Sequence, residues 1–165
     1  MYRAMEDFRE DFTYEREATG KVLGALTDGS LGQRVSADGR TLGQLAWHIV
    51  GTLYEMPAHA GLAVGTETEA PVPSHAKEIS TAYDAAAAAV AAAVASQWDD
   101  AALLEEIPVY GEHWKRGKVL SALIKHEAHH RGQITVLMRQ AGLTVPGVYG
   151  PAREEWAAYG MKAPE

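Results

Sequence analysis

The chain has 165 residues, of which 47% are apolar and 22% charged, a composition typical of a single folded globular domain that we assign to residues 1–165. Its 22 acidic residues outnumber its 15 lysines and arginines, and no basic block stands out, so electrostatics give no reason to expect a nucleic-acid partner. The absence of cysteine excludes disulfides and thiolate ligands, while a charged N-terminus and no apolar run of about 18 residues predict a cytoplasmic protein without a membrane span.

Two helices are predicted in the first third of the chain. The first covers about residues 5–27, where apolar residues recur at helical spacing until "TDGS" ends the pattern. The second begins after Thr41, because "TLGQ" is a capping box in which Thr41 caps the helix and Gln44 reaches back. Pro57 is expected to kink or end this helix, and a Gly/Pro/Thr-rich connection over residues 61–74 is long enough to cross the end of a bundle.

Two further helices are predicted in the rest of the chain. Residues 74–98 are alanine-rich and form the third, since alanine is the best helix former. Residues 107–119 are β-rich and contain two glycines, which indicates a short hairpin or an irregular arm. The fourth helix covers residues 118–141, and a turn-rich tail carries a short helix over residues 152–159. Together these elements predict an all-α four-helix bundle with a short irregular or β arm before the last long helix.

The fourth helix carries two histidines within the stripe expected to face the bundle core. Residues recur there at alternating steps of four and three: Val119, Leu123, His126, His130, Gln133 and Leu137. Because His126 and His130 are four residues apart, they lie on one face and can bind one ion. Burying two imidazoles without partners would cost roughly 1–3 kcal/mol each. A bound metal ion would remove that cost.

His48 brings a third imidazole from the second helix, where it shares a stripe with Leu45 and Glu55. One histidine combined with the His126/His130 pair makes a three-histidine site with an open position, the form expected of a catalytic metal. Three neutral imidazoles suit Zn²⁺, Ni²⁺ or Fe²⁺, and the sequence does not choose among them. Taken separately, His48 would usually be a hydrogen-bonded core histidine rather than a ligand, and an isolated i, i+4 pair would fit a metal site and the surface equally.

Two glutamates are candidates for catalysis, and each also has a structural interpretation. Glu127 is either a general base or a flanking acid that pairs with Arg131, four residues on. Glu55 is either an acceptor for an imidazole N–H or a polar residue at the solvated end of its stripe. His129 lies about 60° around the helix from His126, which suggests an outer partner of the site or an interface residue. The remaining histidines are expected to be solvated: His59, His75 and His113.

Residues 126–130 also match H-E-x-x-H, the motif of zinc proteases in which the glutamate is the general base. The extended form of that motif requires a glycine and a histidine where this chain has Gln133 and Val136. A glutamate third ligand could come only from Glu154 or Glu155, in a tail that offers no helix to hold it. A ferritin-like di-iron site needs two E-x-x-H pairs, and the chain has one. A zinc protease is therefore the least favoured alternative.

The order of these elements resembles the DinB/YfiT-like family over nearly the whole chain. The resemblance is carried by "LAWHIV" on the second helix, the alanine-rich third helix, "HEAHHRGQI" on the fourth and "VPGVYGP" in the tail. Its most specific element is H-x-x-x-H-R-G-Q, which here is His126, His130, Arg131, Gly132 and Gln133, combined with the upstream His48. The resemblance implies an up-down-down-up four-helix bundle, often dimeric, that binds one divalent metal ion. It also implies the ligands His48, His126 and His130.

The resemblance further implies chemistry on low-molecular-weight thiols, because characterised relatives include thiol transferases, a mycothiol-dependent isomerase and thiol-linked hydrolases. We therefore expect a metal-dependent enzyme that activates a low-molecular-weight thiol or water against a small electrophile, with thiol transfer ahead of hydrolysis. The alternative is a non-catalytic stress-response protein with a structural metal. We expect a small-molecule substrate and a homodimer. Gly132, in mid-helix, suggests close packing against another helix, across a dimer for example, or simple tolerance within one chain.

Overall fold

The computed structural model describes residues 1–65 and 70–164, and in this part of the chain four long helices form a bundle with one short hairpin. The helices are α1 (Met5–Gly24), α2 (Leu42–His59), α3 (Ala76–Gln97) and α4 (Arg116–Gln140). Strand β1 (Glu106–Val109) pairs antiparallel with β2 (Glu112–Lys115), with Ile107 opposite Trp114. Short 3₁₀ turns lie at Asp28–Ser30, Ala102–Leu104 and Trp156–Tyr159. The predicted all-α bundle with a β arm before its last helix is confirmed.

The helix ends follow local chemistry, with two departures from the prediction. The capping box of α2 is formed, because the Gln44 N–H donates to Thr41 Oγ1 at 3.1 Å and the Thr41 N–H donates to Gln44 Oε1 at 2.8 Å. Pro57 does not end α2 at once, because the helix continues for two more residues to His59, although the missing N–H of Pro57 leaves one helical hydrogen bond unmade. The helix expected over residues 152–159 is only the Trp156–Tyr159 turn, since Glu155 accepts backbone N–H groups that hold the preceding segment in a turn.

Hydrogen bonds show that α1 and α4 run in the same direction. Just before α1, the Tyr2 N–H donates to the Gly117 carbonyl at the start of α4, at 3.1 Å. Further along both helices, the Arg131 guanidinium donates to the Glu15 carboxylate at 2.6 Å. The two helices are thus in contact at both their beginnings and their middles, which makes them parallel neighbours.

The third helix runs opposite to α1 and parallel to α2. At the start of α1, the Met5 N–H donates to Asp100 Oδ1, just beyond the end of α3, at 2.7 Å. Just beyond the end of α2, the Ala63 N–H donates to Gln97 Oε1, in the last residue of α3, at 3.1 Å. Helices α1 and α4 therefore point one way and α2 and α3 the other. The up-down-down-up arrangement implied by the family resemblance is confirmed.

The alanine-rich α3 is a core helix of the bundle. Ala86, Ala87 and Val90 are fully buried, as is Tyr83. The small side chains of α3 let both α1 and α2 pack closely against it. Among the described residues, α3 is the one helix whose length and composition would suffice to cross a membrane, and 44% of that stretch is buried inside the protein. Burial of this kind is what a core helix shows.

Helix α4 buries two adjacent stripes rather than the single one predicted. The predicted stripe is buried or half-buried at Val119, Leu123, His126, His130 and Leu137, but Gln133 is exposed. The second buried stripe has the same alternating spacing and consists of Leu120, Ile124, Glu127, Arg131, Ile134 and Met138. The first stripe contains the histidine pair, while the second carries two charged residues into the core.

Candidate metal centre

The structure brings His48, His126 and His130 together between α2 and α4. One ring nitrogen from each residue lies within 4.8 Å of the others. The His48 ring centroid is 5.1 Å from that of His126 and 4.7 Å from that of His130, and the His126 and His130 Nε2 atoms are 3.1 Å apart. We call these three residues the histidine triad. The sequence predicted this juxtaposition from two separate helices.

The local structure explains why these rings meet. His126 and His130 are one turn apart on α4, so both rings leave the same face of the helix. His48 lies near the first third of α2, which packs against α4 in the opposite direction. His130 is 8% exposed, whereas His48 and His126 are half-buried. The triad therefore has a buried side and a side that faces solvent.

Gln133 fixes the orientation of one triad ring. The His130 Nδ1 atom lies 2.7 Å from Gln133 Oε1. Because an amide oxygen only accepts, Nδ1 carries the hydrogen in this contact, and Nε2 presents its lone pair to the triad. A partner of this kind orients metal-binding histidines in known sites. Gln133, the last residue of the H-x-x-x-H-R-G-Q motif, thus contacts the triad through its side-chain oxygen.

The geometry fits a divalent ion held by imidazole nitrogens. Two nitrogen ligands at about 2.0–2.1 Å from a tetrahedral zinc ion lie about 3.3 Å apart, close to the 3.1 Å between the His126 and His130 Nε2 atoms. The other ring nitrogen of His126, Nδ1, is buried without a hydrogen-bond partner among the described residues. Three nitrogens of one type form a donor set that suits Zn²⁺, Ni²⁺ or Fe²⁺.

The triad histidines are held in the neutral form. Burial is the largest cause that lowers the pKa of His48, His126 and His130. For His48, the neighbouring His130 and Arg40 charges lower the pKa further, to about 4. Metal ions bind the neutral imidazole. At neutral pH the rings are therefore already in the protonation state that a metal ion requires.

Two cavities open beside the triad. The first, which we call the α2 cavity, has a volume of about 600 Å³ and contains His48 and Glu55 in its wall, with Arg40, Trp47 and Tyr54. The second, the α2–α4 cavity, has a volume of about 440 Å³. Its wall is formed by Val35, Gly39, Arg40, Leu45, His130, Gln133, Val136 and Leu137. Both volumes lie in the range of small-molecule sites.

Glu55 lies at the wall of the α2 cavity, where the β hairpin holds it. The Tyr110 hydroxyl donates to Glu55 Oε1 at 2.9 Å, and His59 Nε2 lies 3.0 Å from the same oxygen. Among the described residues, the imidazole partner of Glu55 is thus His59 rather than a member of the triad. Tyr110 lies in the turn of the hairpin with a positive φ of 51°, which a residue with a side chain rarely adopts.

Glu127 does not occupy either of the positions expected for it. It is 1% exposed, lies in the second buried stripe of α4, and accepts a hydrogen bond from the Tyr83 hydroxyl of α3 at 2.6 Å. Burial raises the pKa of its carboxyl group. The predicted pair with Arg131 is replaced, because Arg131 pairs with Glu15 of α1. A carboxylate facing the core in this way is not placed to act as a base toward the triad.

Arg131 and Glu15 form a buried network that was not among the sequence-based predictions. The guanidinium donates to the Glu15 carboxylate at 2.6 Å and to Thr19 Oγ1 at 2.8 Å. The Tyr149 hydroxyl, from the tail, donates to Glu15 Oε1 at 2.9 Å and also contacts Arg131. This network attaches α4 and the tail to α1. The other histidines are exposed, as expected for His59, His75 and His113, and His129 is exposed as well.

The family is decided by comparison over the full length of the chain. Residues 1–165 match the model of the DinB family. The chain belongs to the DinB family. The DinB-family resemblance inferred from the motifs is thereby confirmed. One relative, the Bacillus subtilis (strain 168) protein YrdA, is 43% identical over 166 residues, which cover 100% of this chain and 99% of YrdA.

Solved structures of DinB-like proteins share this fold. The crystal structure of a DinB-like protein from Bacillus cereus ATCC 10987 has a TM-score of 0.86 and 44% identity, and the match covers 90% of this chain and 100% of that one. The DinB-like protein YjoA from Bacillus subtilis has a TM-score of 0.67 over 86% of this chain and 96% of its own. At 18% identity, the likeness to YjoA concerns the fold alone.

Proposed function

We propose that this DinB-family protein is a metal-dependent enzyme that activates a low-molecular-weight thiol or water for attack on a small electrophile. Thiol transfer is the preferred reaction and hydrolysis the second. The observation that carries the proposal is the meeting of three neutral imidazoles, with ring nitrogens within 4.8 Å of one another, beside two cavities. Three histidine ligands with an open position characterise catalytic rather than structural metal sites.

Each nearby side chain has a role in this proposal. His48, His126 and His130 would hold one Zn²⁺, Ni²⁺ or Fe²⁺ ion through ring nitrogens. When bound, such an ion supplies Lewis acidity that lowers the pKa of a coordinated thiol or water. Gln133 keeps the hydrogen of His130 on Nδ1, so that Nε2 remains available to the ion.

The two glutamates differ in their suitability as proton acceptors. Glu55 forms part of the α2 cavity wall beside His48, and its position is fixed by the Tyr110 hydroxyl. Glu127 faces Tyr83 in the core. We therefore propose Glu55 as the group that accepts a proton released within the α2 cavity. The same placement of Glu127 weighs against the zinc-protease alternative, which needs that residue as the base.

A second candidate function is a non-catalytic metal-binding stress protein. This function is favoured by the positions of the three histidines, because one lies on α2 and two lie on α4. An ion bound there would cross-link two packed helices and stabilise the bundle without any reaction. A homodimeric assembly and a cytoplasmic location, both expected from the sequence, stay predictions for either function.

The metal site is tested by replacing His48. Purified protein dialysed against Zn²⁺ or Ni²⁺ should retain one ion per chain, and His48→Ala should lose stoichiometric binding because two nitrogens from one helix remain. Metal content after dialysis and isothermal titration give the stoichiometry and the affinity. The matched control is His113→Ala, which removes an exposed histidine of the hairpin and should leave both values unchanged. Unchanged affinity in His48→Ala would show that the site lies elsewhere.

A further inference from the structure

Arg40 is placed between the two cavities beside the triad. It immediately precedes Thr41, the cap of α2, and it forms part of the wall of both the α2 cavity and the α2–α4 cavity. His48 contributes to the first wall and His130 to the second. Among the described residues of both walls, Arg40 is the one side chain that carries a permanent positive charge. A ligand bound in either cavity therefore shares its wall with this guanidinium.

Arg40 and Glu55 set the charge of the two cavity walls. Arg40 forms part of both walls, whereas the Glu55 carboxylate forms part of the α2 cavity wall alone. A fixed cation attracts an anion, and the described wall residues of the α2–α4 cavity include no carboxylate that would oppose this attraction. The α2–α4 cavity is thus electrostatically suited to an anion, although the protein as a whole carries a formal charge of −7.

The α2–α4 cavity combines this cation with apolar walls. Its wall contains four aliphatic side chains: Val35, Leu45, Val136 and Leu137. Val35 and Val136 are 72% and 54% exposed, so the rim of the cavity presents apolar surface to solvent. An apolar pocket with a few well-placed polar groups is the usual form of a small-molecule site, in which the polar groups set orientation. Here the polar groups of the wall include Arg40 and His130.

We propose that the α2–α4 cavity binds a small carboxylate with an apolar body. Its carboxylate pairs with Arg40, its body packs on the aliphatic wall, and its reactive end reaches the triad; the inference rests on the proposed function and names its substrate class. One guanidinium presents a planar pair of N–H donors that matches both oxygens of a carboxylate. A single positive charge also balances a carboxylate better than a phosphate, which carries about −2. Arg40 is then a specificity-determining residue.

The probe pair for this inference is 4-mercaptobenzoate and 4-mercaptobenzamide, which share an apolar ring and a thiol and differ in charge. Binding is measured in Co²⁺-loaded protein by the thiolate-to-cobalt absorption band, and in metal-free protein by NMR titration. Wild-type protein should bind the benzoate about tenfold more tightly than the benzamide, as expected for a charge-assisted hydrogen-bonded pair. Arg40→Gln should reduce that ratio to near one. Arg40→Lys, which keeps the charge but not the planar donors, should give an intermediate ratio.

The matched control is Lys125→Gln, which changes the net charge equally at an exposed position of α4 outside both cavity walls. It should keep the wild-type ratio. A ratio that Arg40→Gln leaves unchanged, in either the loaded or the metal-free protein, would overturn the role of Arg40. Failure of wild-type protein to bind Co²⁺ would instead overturn the proposed metal site, while the metal-free titration would still decide whether Arg40 selects a carboxylate.

Discussion

At the scale of single residues, the least expected feature is the ion pair between Arg131 and Glu15. The two side chains are 2% and 12% exposed, and Thr19 and Tyr149 supply further hydrogen-bond partners. Removing charges from water is expensive, and a buried pair is stable only when its remaining donors and acceptors are also satisfied. This pair meets that condition, and its loss would leave a charge without compensation between α1 and α4.

We predict that Arg131→Met destabilises the protein by about 3–5 kcal/mol, because Glu15 would remain buried without its partner. Urea unfolding followed by circular dichroism measures the change. Arg139→Met is the matched control, since Arg139 pairs with Glu154 at the surface, where both side chains are about 40% exposed. That variant should lose no more than about 1 kcal/mol. Equal losses in the two variants would show that burial adds nothing to the Arg131 pair.

Part of this network could have been predicted from the sequence. In α1 the buried positions follow the same alternating spacing as in α4: Phe8, Phe12, Glu15, Thr19 and Val22. A charged residue within each of two apolar stripes suggests a buried pair. The choice of partner could not be predicted, because Glu127 is as close to Arg131 in sequence as helical geometry allows. Only the parallel packing of α1 against α4 brings Glu15 to the guanidinium.

At the scale of secondary-structure elements, the surroundings of Gly132 in α4 separate the two explanations offered for it, which are close packing against another helix and simple tolerance within one chain. A Cβ atom built on Gly132 would meet nothing within 4 Å, and the residue is exposed. Close packing within one chain is therefore not the reason for this glycine. Gly117, at the start of the same helix, is different, because a Cβ there would overlap the Tyr2 carbonyl oxygen.

We predict that Gly132→Ala stabilises the isolated chain by about 0.5–1 kcal/mol, because alanine loses less backbone entropy in a helix than glycine. Gly117→Ala should destabilise it, since the backbone at Tyr2 would have to move. Thermal and urea unfolding of both variants provide the measurement. A loss of stability in Gly132→Ala, accompanied by a change in oligomeric state on gel filtration, would indicate that a second copy packs against this position.

The elements themselves were largely predictable because their ends are marked by local chemistry. The capping box at Thr41 and Gln44 and the alanine-rich composition of α3 each gave the correct element. Pro57 marked the end of α2 to within two residues, since the helix stops at His59. In the site, the spacing on α4 and the stripe on α2 identified all three histidines. Arg40 was not predicted to lie beside the triad. It belongs to the segment that connects α1 and α2, where no helical spacing indicates which residues a side chain will contact.

At the scale of the whole molecule, the triad joins two helices that run in opposite directions. The connectivity that produces this arrangement was implied by family resemblance and not by periodicity, since helical spacing indicates which face is buried but not which helices are neighbours. The contacts of Met5, Ala63 and Tyr2 determine the helix directions. An ion shared by α2 and α4 should therefore affect the stability of the entire bundle.

We predict that Zn²⁺ or Ni²⁺ at about 100 times its Kd stabilises the protein by about 2.7 kcal/mol, which raises the Tm by about 5–11 °C for a chain of this size. Chelation should reverse the rise. Differential scanning calorimetry of wild-type and His48→Ala protein provides the measurement, and the variant should show no shift. If the metal raises the Tm but the loaded protein catalyses neither thiol transfer nor ester hydrolysis, the structural role of the ion is favoured over the catalytic one.

The position of the triad along the chain also has a consequence for the order of folding. His48 precedes α3 and the hairpin, whereas His126 and His130 lie in the last long helix. Contacts between such distant segments form only after a large loop has closed, and that closure slows folding. During synthesis, the triad is incomplete until α4 has emerged and docked. The metal binding proposed for the triad should therefore be acquired late, and uptake of the ion would then mark chains that have completed the bundle.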